Sequence, residues 1–285
     1  GLYSAFLLSF DRDLPSSLRE QAATTGILHL VAISGSHIAV FAAFVAWAAI
    51  GLGCTRKISA MLTLGLVGAY VALVGFPESG VRSGIMAGAV AAAYLLGRPA
   101  AGIRVLGIAC VVMTVVNPRI LLGDVGFQLS ALAVWGLLAI FPLLQGFARA
   151  LPNPFSLRTV FLLTLSAELA TLPVVAFAFG RVPLIGPLTN LFAGVLFLPL
   201  FALGALTLVA ALTVPMVASL VAPAAAVVGN AFLAIAVVGS RVPWHSVPVA
   251  PFSPSVFLAS VGALFLLVAA ARRWLTFPGA RVWVP

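Results

Sequence analysis

The chain has 285 residues, of which 63% are hydrophobic and only 7% are charged, and its mean hydropathy is +1.22. A water-soluble domain carries about 25% charged residues, so this composition excludes a soluble globular protein. The net charge of +9 is typical of the cytoplasmic loops of membrane proteins and does not by itself indicate nucleic-acid binding.

The first part of the chain is polar. Pro15 and the two serines after it predict a short amphipathic helix at the membrane surface over residues 16–26. The chain begins with glycine and shows no signal-peptide pattern, which indicates a segment of a longer protein. Nine apolar stretches then predict transmembrane helices, since about 20 apolar residues cross a hydrocarbon core. They lie near 27–52, 58–75, 82–97, 103–117, 126–145, 157–180, 187–213, 215–239 and 254–271.

These stretches favour helices over the strands of a membrane barrel. Residues 84–97 and 257–271 are apolar on every side, whereas barrel strands alternate apolar and polar residues. The predicted fold is therefore all-α: a polytopic transmembrane bundle with broken or re-entrant helices and a short N-terminal amphipathic helix. The predicted domains are an interfacial segment (1–26), a membrane domain (27–271) and a basic C-terminal tail (272–285). Basic residues are commoner after odd-numbered spans, which predicts that the chain starts outside the cell.

Two places interrupt the apolar pattern. One is Ser34-Gly35-Ser36-His37 in the first span, and the other contains four prolines, Pro173, Pro183, Pro187 and Pro199. Broken helices are tolerated in membranes where they are buried in protein or line a cavity. Both places are candidates for a pathway, although proline and glycine also occur in ordinary transmembrane helices.

Glu168 is the ionisable residue that stands out within a span. It lies in the polar stretch 164–173, and a charged group at that depth costs about 2.5–3.5 kcal/mol to insert. Two interpretations remain open: a carboxylate paired with an arginine on a neighbouring helix, or a carboxylate lining a hydrated cavity.

Two histidines flank the first interruption. His29 and His37 are eight residues apart, and because the Ser34-Gly35 interruption lies between them, helical spacing cannot place them on one face. Without a third ligand they do not indicate a metal site, and a buried, hydrogen-bonded neutral histidine is the simpler interpretation. The two cysteines, Cys54 and Cys110, form no metal or disulfide motif. The sequence therefore predicts no cofactor.

Other polar residues stand at the ends of the spans. Gln128, Ser130 and Asn190 are of types that bridge membrane helices by hydrogen bonding. Arg82 begins the third span and is either an interfacial anchor or a group that binds phosphate, for which the guanidinium fork is well shaped.

The absence of two motifs argues against a P-loop ATPase and a zinc protease. The chain has no P-loop and no HExxH zinc motif. An intramembrane serine hydrolase would use Ser34 or Ser36 with one of the histidines, but no nucleophile elbow accompanies them. The residues alone therefore leave a transporter, a channel or a membrane enzyme.

The order of the motifs resembles the ComEC competence family. Residues 29–37 read HLVAISGSH, similar to that family's HLLAISGLH signature. GFPESGVR at 75–82, NP at 117–118, GFQLS at 126–130, ATLP at 170–173 and PLTN at 187–190 follow in the family's order. The motifs cover about residues 5–200. Ser36 and Ser83 depart from the family pattern without changing the assignment.

The resemblance implies a non-enzymatic channel in the bacterial inner membrane that conducts single-stranded DNA into the cytoplasm during natural transformation. It also implies partners: membrane lipids, OB-like and metallo-β-lactamase-like domains of the full-length protein, and a cytoplasmic helicase-like ATPase of the ComFA type. Self-association into a homo-oligomer is left open. The alternatives are a secondary transporter of a small solute and, less favoured, the serine hydrolase. The residues expected to form the DNA path or its gate are His29, Ser34, Gly35, His37, Arg82, Gln128, Ser130, Glu168 and Asn190.

Overall fold

The computed structural model describes residues 15–31, 35–95, 97 and 101–276, which form helices and one pair of short strands. The first helices are α1 (Ser16–Thr24), α2 (Leu28–Val31), α3 (Gly35–Gly51), α4 (Arg56–Leu73), α5 (Glu78–Leu95), α6 (Gly102–Val116), α7 (Ile120–Gly123), α8 (Val125–Ala139) and α9 (Phe141–Phe147). A 3-10 turn (Pro154–Ser156) precedes α10 (Leu157–Phe179), β1 (Arg181–Pro183), α11 (Gly186–Thr213), α12 (Pro215–Gly239), β2 (Ser246–Pro248) and α13 (Pro254–Thr276). Ser34, most of the predicted interfacial segment and most of the predicted tail lie outside the described residues.

The all-α polytopic fold predicted from the sequence is confirmed. Each predicted span contains a helix, and six are long and apolar enough to cross a membrane: α4, α8 with α9, α10, α11, α12 and α13. The apolar segment of α3 (His37–Gly51) and α6 (Gly102–Val116) are shorter. At 1.5 Å per residue, the 15 residues of α6 extend only about 22 Å, against a hydrocarbon core of about 30 Å.

The interruption predicted between residues 173 and 199 is present, but two of its prolines do not break their helices. Helix α10 continues through Pro173 and α11 continues through Pro199. A proline removes one backbone hydrogen bond, which long membrane helices tolerate because neighbouring groups compensate. The chain is interrupted instead between Gly180 and Ile185, where β1 pairs with β2 in antiparallel register and the Leu184 N–H donates to the His245 carbonyl at 2.9 Å.

The predicted N-terminal helix is present as α1. It packs against α12 and β1, with Ala22 and Thr24 buried. Gly26 then turns the chain with a φ of +82°, a value in the left-handed region that glycine adopts without strain. The turn leaves α1 packed against the bundle.

Five helices contact one another in a closed sequence, named here the helix ring: α3, α5, α8, α10 and α11. The pairs α3–α5, α5–α8, α8–α10 and α10–α11 are in contact, most extensively α8 with α10. Helix α3 closes the ring by packing His37 and Phe41 against the α11 side of the main hydrophobic core. That core contains Ile27, Phe197, Leu200, Phe201 and Phe232. Helices α4, α6, α12 and α13 pack around the ring, against α3, α5, α11 and α10 respectively.

Candidate functional site

The loop between α4 and α5 sets the position of Arg82. Gly75 and Phe76 both have positive φ values, +82° and +55°, so the chain reverses sharply before Pro77. The Phe76 N–H is held by the Val71 carbonyl at 2.9 Å. Helix α5 then begins at Glu78, whose carboxylate suits the positive end of a helix dipole. Arg82 follows one turn later and is therefore near the start of a ring helix.

Ser130 reaches Arg82 because the start of α8 is capped. The Asp124 carboxylate accepts a hydrogen bond from the Phe127 N–H at 2.7 Å, which fixes where the helix begins. Two turns later the Ser130 hydroxyl accepts a hydrogen bond from Nη2 of Arg82. Ser130 therefore joins α8 to α5, and its partner is the arginine.

The guanidinium of Arg82 is buried, and few of its N–H groups have a hydrogen-bond acceptor. The residue is only 2% exposed, and besides Ser130 it has the Met86 Sδ, 3.8 Å from Nη1, while Nε has no hydrogen-bond partner. A guanidinium has five N–H donors, and a thioether is a weak acceptor. Within the described ranges no carboxylate forms an ion pair with this group. A buried charge without a counter-ion costs several kcal/mol, so the arrangement favours an anion that is not part of these residues.

The first residue of α3 lies against this arginine. A Cβ on Gly35 would lie 3.3 Å from Nη2 of Arg82 and 2.9 Å from the Ser83 hydroxyl. Glycine therefore allows the close approach of α3 to α5. The structure thus brings together Gly35, Arg82 and Ser130, which were predicted from separate motifs. Together with Ser83 they are named the arginine cluster.

Glu168 has an amide partner. Its Oε1 accepts a hydrogen bond from Nδ2 of Asn190 at 2.9 Å, which joins α10 to α11. The predicted alternative, an ion pair with an arginine, is not found among the described residues. The carboxylate lines a cavity of about 180 Å³, so the cavity interpretation is supported, and its hydration stays a prediction. We name Glu168, Gly186 and Asn190 the carboxylate cluster.

The turn after α1, at Thr25 and Gly26, packs beside the carboxylate cluster. The Thr189 hydroxyl donates to the Thr25 carbonyl at 2.6 Å. A Cβ on Gly186 would lie 2.6 Å from Oε1 of Glu168, and a Cβ on Gly26 would lie 3.1 Å from the Gly186 Cα. The two glycines therefore allow three chain segments to meet at one point.

This junction gives a stability prediction. We expect Thr189→Val, which keeps the shape but removes the donor, to destabilise the protein by about 1–3 kcal/mol because the buried Thr25 carbonyl loses its partner. Thermal unfolding of the purified protein measures the change. Thr207→Val is the matched control, since that hydroxyl donates within its own helix, to the Leu203 carbonyl at 2.7 Å. Equal losses for the two variants would contradict the assigned role of Thr189.

The two histidines lie in different surroundings. His37 is fully buried, with its ring edge-on to Phe197 and Phe201 at centroid distances of 4.9 and 6.0 Å. His29 is exposed, and its Nδ1 lies 2.9 Å from the Gly26 carbonyl oxygen. Among the described residues no group of three histidine, cysteine, aspartate or glutamate side chains is placed to hold a metal ion.

Gln128 serves a local contact. Its Nε2 donates to the Leu121 carbonyl, 2.8 Å away, and so joins α8 to the neighbouring short helix α7. Thr25, Gly186 and Thr189 were not predicted. Thr189 lies inside the PLTN motif, which is a weak indication in the sequence that it belongs to the site. Thr25 precedes the first span, and nothing in the sequence indicates its role.

The comparisons with known proteins agree on one family. A profile of the family described as Competence protein matches residues 6–274. ComE operon protein 3 of Bacillus subtilis (strain 168) is 28% identical over 166 residues, which are 58% of this chain. The matched segment spans only 20% of that protein's length. No solved structure matches the chain significantly.

Proposed function

The chain belongs to the competence protein family, and from this membership we propose that it forms the membrane passage through which single-stranded DNA enters a bacterial cell during natural transformation. The family match covers nearly the whole chain, so the proposal concerns the membrane domain itself. We place it in the bacterial inner membrane, as a channel and not an enzyme.

The observation that carries the proposal is the buried guanidinium of Arg82. A phosphate group offers the acceptor oxygens that the guanidinium lacks and accepts two parallel N–H bonds from the guanidinium fork. Proteins bind DNA without regard to sequence chiefly through such phosphate contacts. Arg82 lies where three ring helices meet, since Gly35 belongs to α3, Ser130 to α8 and Arg82 to α5. A passing strand would therefore be contacted from several sides of the ring.

Two alternatives, a secondary transporter of a small solute and an intramembrane serine hydrolase, are less favoured because the family match names a competence protein. The serine hydrolase gains no support from His37, whose ring is enclosed by two phenylalanines. Gly35, Arg82 and Ser130 therefore form the centre of the proposed DNA path, while His37 and Gln128 support it structurally.

The proposed partners follow from the length of the curated relative. Because the matched segment is a fifth of that protein, we propose that further domains of the OB-like and metallo-β-lactamase-like kinds act with this membrane domain. Energy would come from a proton gradient or from a cytoplasmic helicase-like ATPase of the ComFA type. Membrane lipids surround the bundle, and a homo-oligomer stays an open proposal.

A domain-exchange experiment tests the function. In a naturally competent bacterium, the membrane region of the host's own ComEC-type protein is replaced by this chain, so that the remaining domains still match their partners. We expect labelled DNA to reach the cytoplasm in the exchanged strain and not in the deletion strain. DNA that stays outside, with the chimera at a normal membrane level, would contradict the channel.

A further inference from the structure

The amide of Asn190 uses only one of its two ends. Asn190 is 5% exposed, and its Nδ2 donates to Glu168, but its Oδ1 is buried with no hydrogen-bond partner in the described part of the chain. A buried acceptor without a donor costs about 1–3 kcal/mol, and such atoms are rare in native proteins. The orphaned oxygen therefore needs an explanation.

Glu168 is accessible to a small ligand. The carboxylate lines the cavity of about 180 Å³, whose other walls are almost entirely hydrocarbon: Leu165, Leu169, Leu172, Val175, Val182, Pro183, Leu184 and Pro187. The Thr171 hydroxyl also lines the cavity, but it donates to the Ala167 carbonyl at 2.9 Å. The cavity is thus an apolar pocket with one carboxylate.

We infer that Glu168 is a proton-binding site and that Asn190 serves both of its states through opposite ends of one amide. We assign the observed contact, in which Oε1 accepts from Nδ2 of Asn190, to the ionised state. A proton taken from water binds the carboxylate and makes a new O–H donor, and Oδ1 accepts from it once the amide has rotated. On release the proton returns to water. Oδ1 is then without a partner only in the ionised state, which is the state that fits the observed contact between Nδ2 and Oε1.

A proton fits this pocket better than a metal ion does. Ca²⁺ and Mg²⁺ take six or more oxygen ligands, and Glu168 supplies two at most in a pocket of hydrocarbon. Oδ1 of Asn190 belongs to an amide whose nitrogen, not its oxygen, meets the carboxylate. A proton needs a single carboxylate oxygen and one acceptor, and both are present.

Other charges on the packed elements do not reach the cavity. Helices α8, α9 and α11, which pack against α10, contain no ionisable residue. Strand β1 carries Arg181, and α13 carries Arg272 and Arg273. On α10 itself, Arg158 donates to the Ala148 carbonyl at 3.0 Å. None of these four arginines lines the cavity, so proton binding at Glu168 is governed mainly by the pocket and by Asn190.

A carbodiimide assay tests the site without using DNA. Dicyclohexylcarbodiimide enters lipid and modifies protonated carboxyl groups, and mass spectrometry of the purified full chain in liposomes quantifies the adduct at Glu168. We expect labelling at acidic pH that falls about tenfold per pH unit above its midpoint, as expected for one ionising group. Glu168→Gln should remove the adduct, and Glu20, an exposed carboxylate, is the internal control.

A second variant separates proton binding from a structural role. Asn190→Ala removes the contact with both states. The hydrogen bond to the ionised carboxylate is charge-assisted and about twice as strong as the bond to the protonated form, so its loss weighs more and half-maximal labelling should move to higher pH. Absent or pH-independent labelling of Glu168 in the wild type, an unmoved midpoint in Asn190→Ala, or protection by sodium at constant pH would each overturn the inference. The assay is independent of DNA conduction, so its failure and that of the channel are distinguishable.

Discussion

Replacing Arg82 by glutamine is expected to reduce DNA uptake by about 10- to 100-fold while leaving the protein folded. Hydrogen bonds to a charged group contribute about 1.5–3 kcal/mol, and 1.4 kcal/mol is a factor of ten. The same change removes a buried charge that has no counter-ion in the described part of the chain, which should keep or raise the free energy of unfolding. Labelled-DNA uptake and thermal unfolding, measured on the same variant, check both halves of this prediction.

Two further variants sharpen the test. Arg82→Lys keeps the charge but loses the planar fork, so uptake should fall less than in Arg82→Gln. Arg119→Gln removes an exposed arginine and should leave uptake within about twofold of the wild type, because an exposed charge contributes about 0–1 kcal/mol. If Arg82→Gln instead lowers the amount of folded protein at a normal synthesis rate, Arg82 is a structural anchor and the phosphate role is wrong.

The second large effect concerns the contact between α8 and α10. A Cβ on Gly136 would lie 2.6 Å from the Cβ of Ala170 and would also meet the backbone oxygen of Ser166. No side-chain rotation relieves these contacts, because they involve backbone and a methyl group. Overpacking costs about 1–3 kcal/mol even for small additions, so we expect Gly136→Ala to destabilise clearly and Gly136→Leu to prevent folding. Size-exclusion chromatography and thermal unfolding measure both outcomes.

The matched control for this prediction is Gly107, which is exposed in helix α6. A Cβ there would meet nothing within 4 Å. Gly107→Ala should therefore raise stability by up to about 1 kcal/mol, the usual gain in a helix interior, and Gly107→Leu should be tolerated. A folded Gly136→Leu protein with normal stability would show that α8 and α10 are not packed as closely as the structure places them.

The sequence was sufficient for much of the fold and for part of the site. The apolar stretches located each membrane helix because a span must be apolar on all sides, whatever its neighbours are. Glu168 and Arg82 were found for a related reason: an ionisable side chain at membrane depth is costly and therefore conspicuous. Gly35 was found because it interrupts an otherwise continuous span.

Which polar groups meet could not be read from the sequence. Arg82 and Ser130 are 48 residues apart, and Glu168 and Asn190 are 22 apart, so their pairing depends on how whole helices pack. An arginine partner, one of the two interpretations of Glu168, is not found among the described residues. The interruption expected between residues 173 and 199 lies between Gly180 and Ile185, whereas Pro173 and Pro199 lie inside continuous helices because a missing N–H is tolerated inside a long membrane helix.

The docking of Thr25 against Thr189 has a consequence for how the protein is made. The two residues are separated by 164 positions, and ribosomes add about 5–20 residues per second, so roughly 8–33 s pass between their synthesis. During that interval the nascent first span has neither Thr189 nor the phenylalanines of α11 to pack against. His37 therefore gains its contacts with Phe197 and Phe201 only once α11 has been translated, and the helix ring closes only after most of the chain has been synthesised.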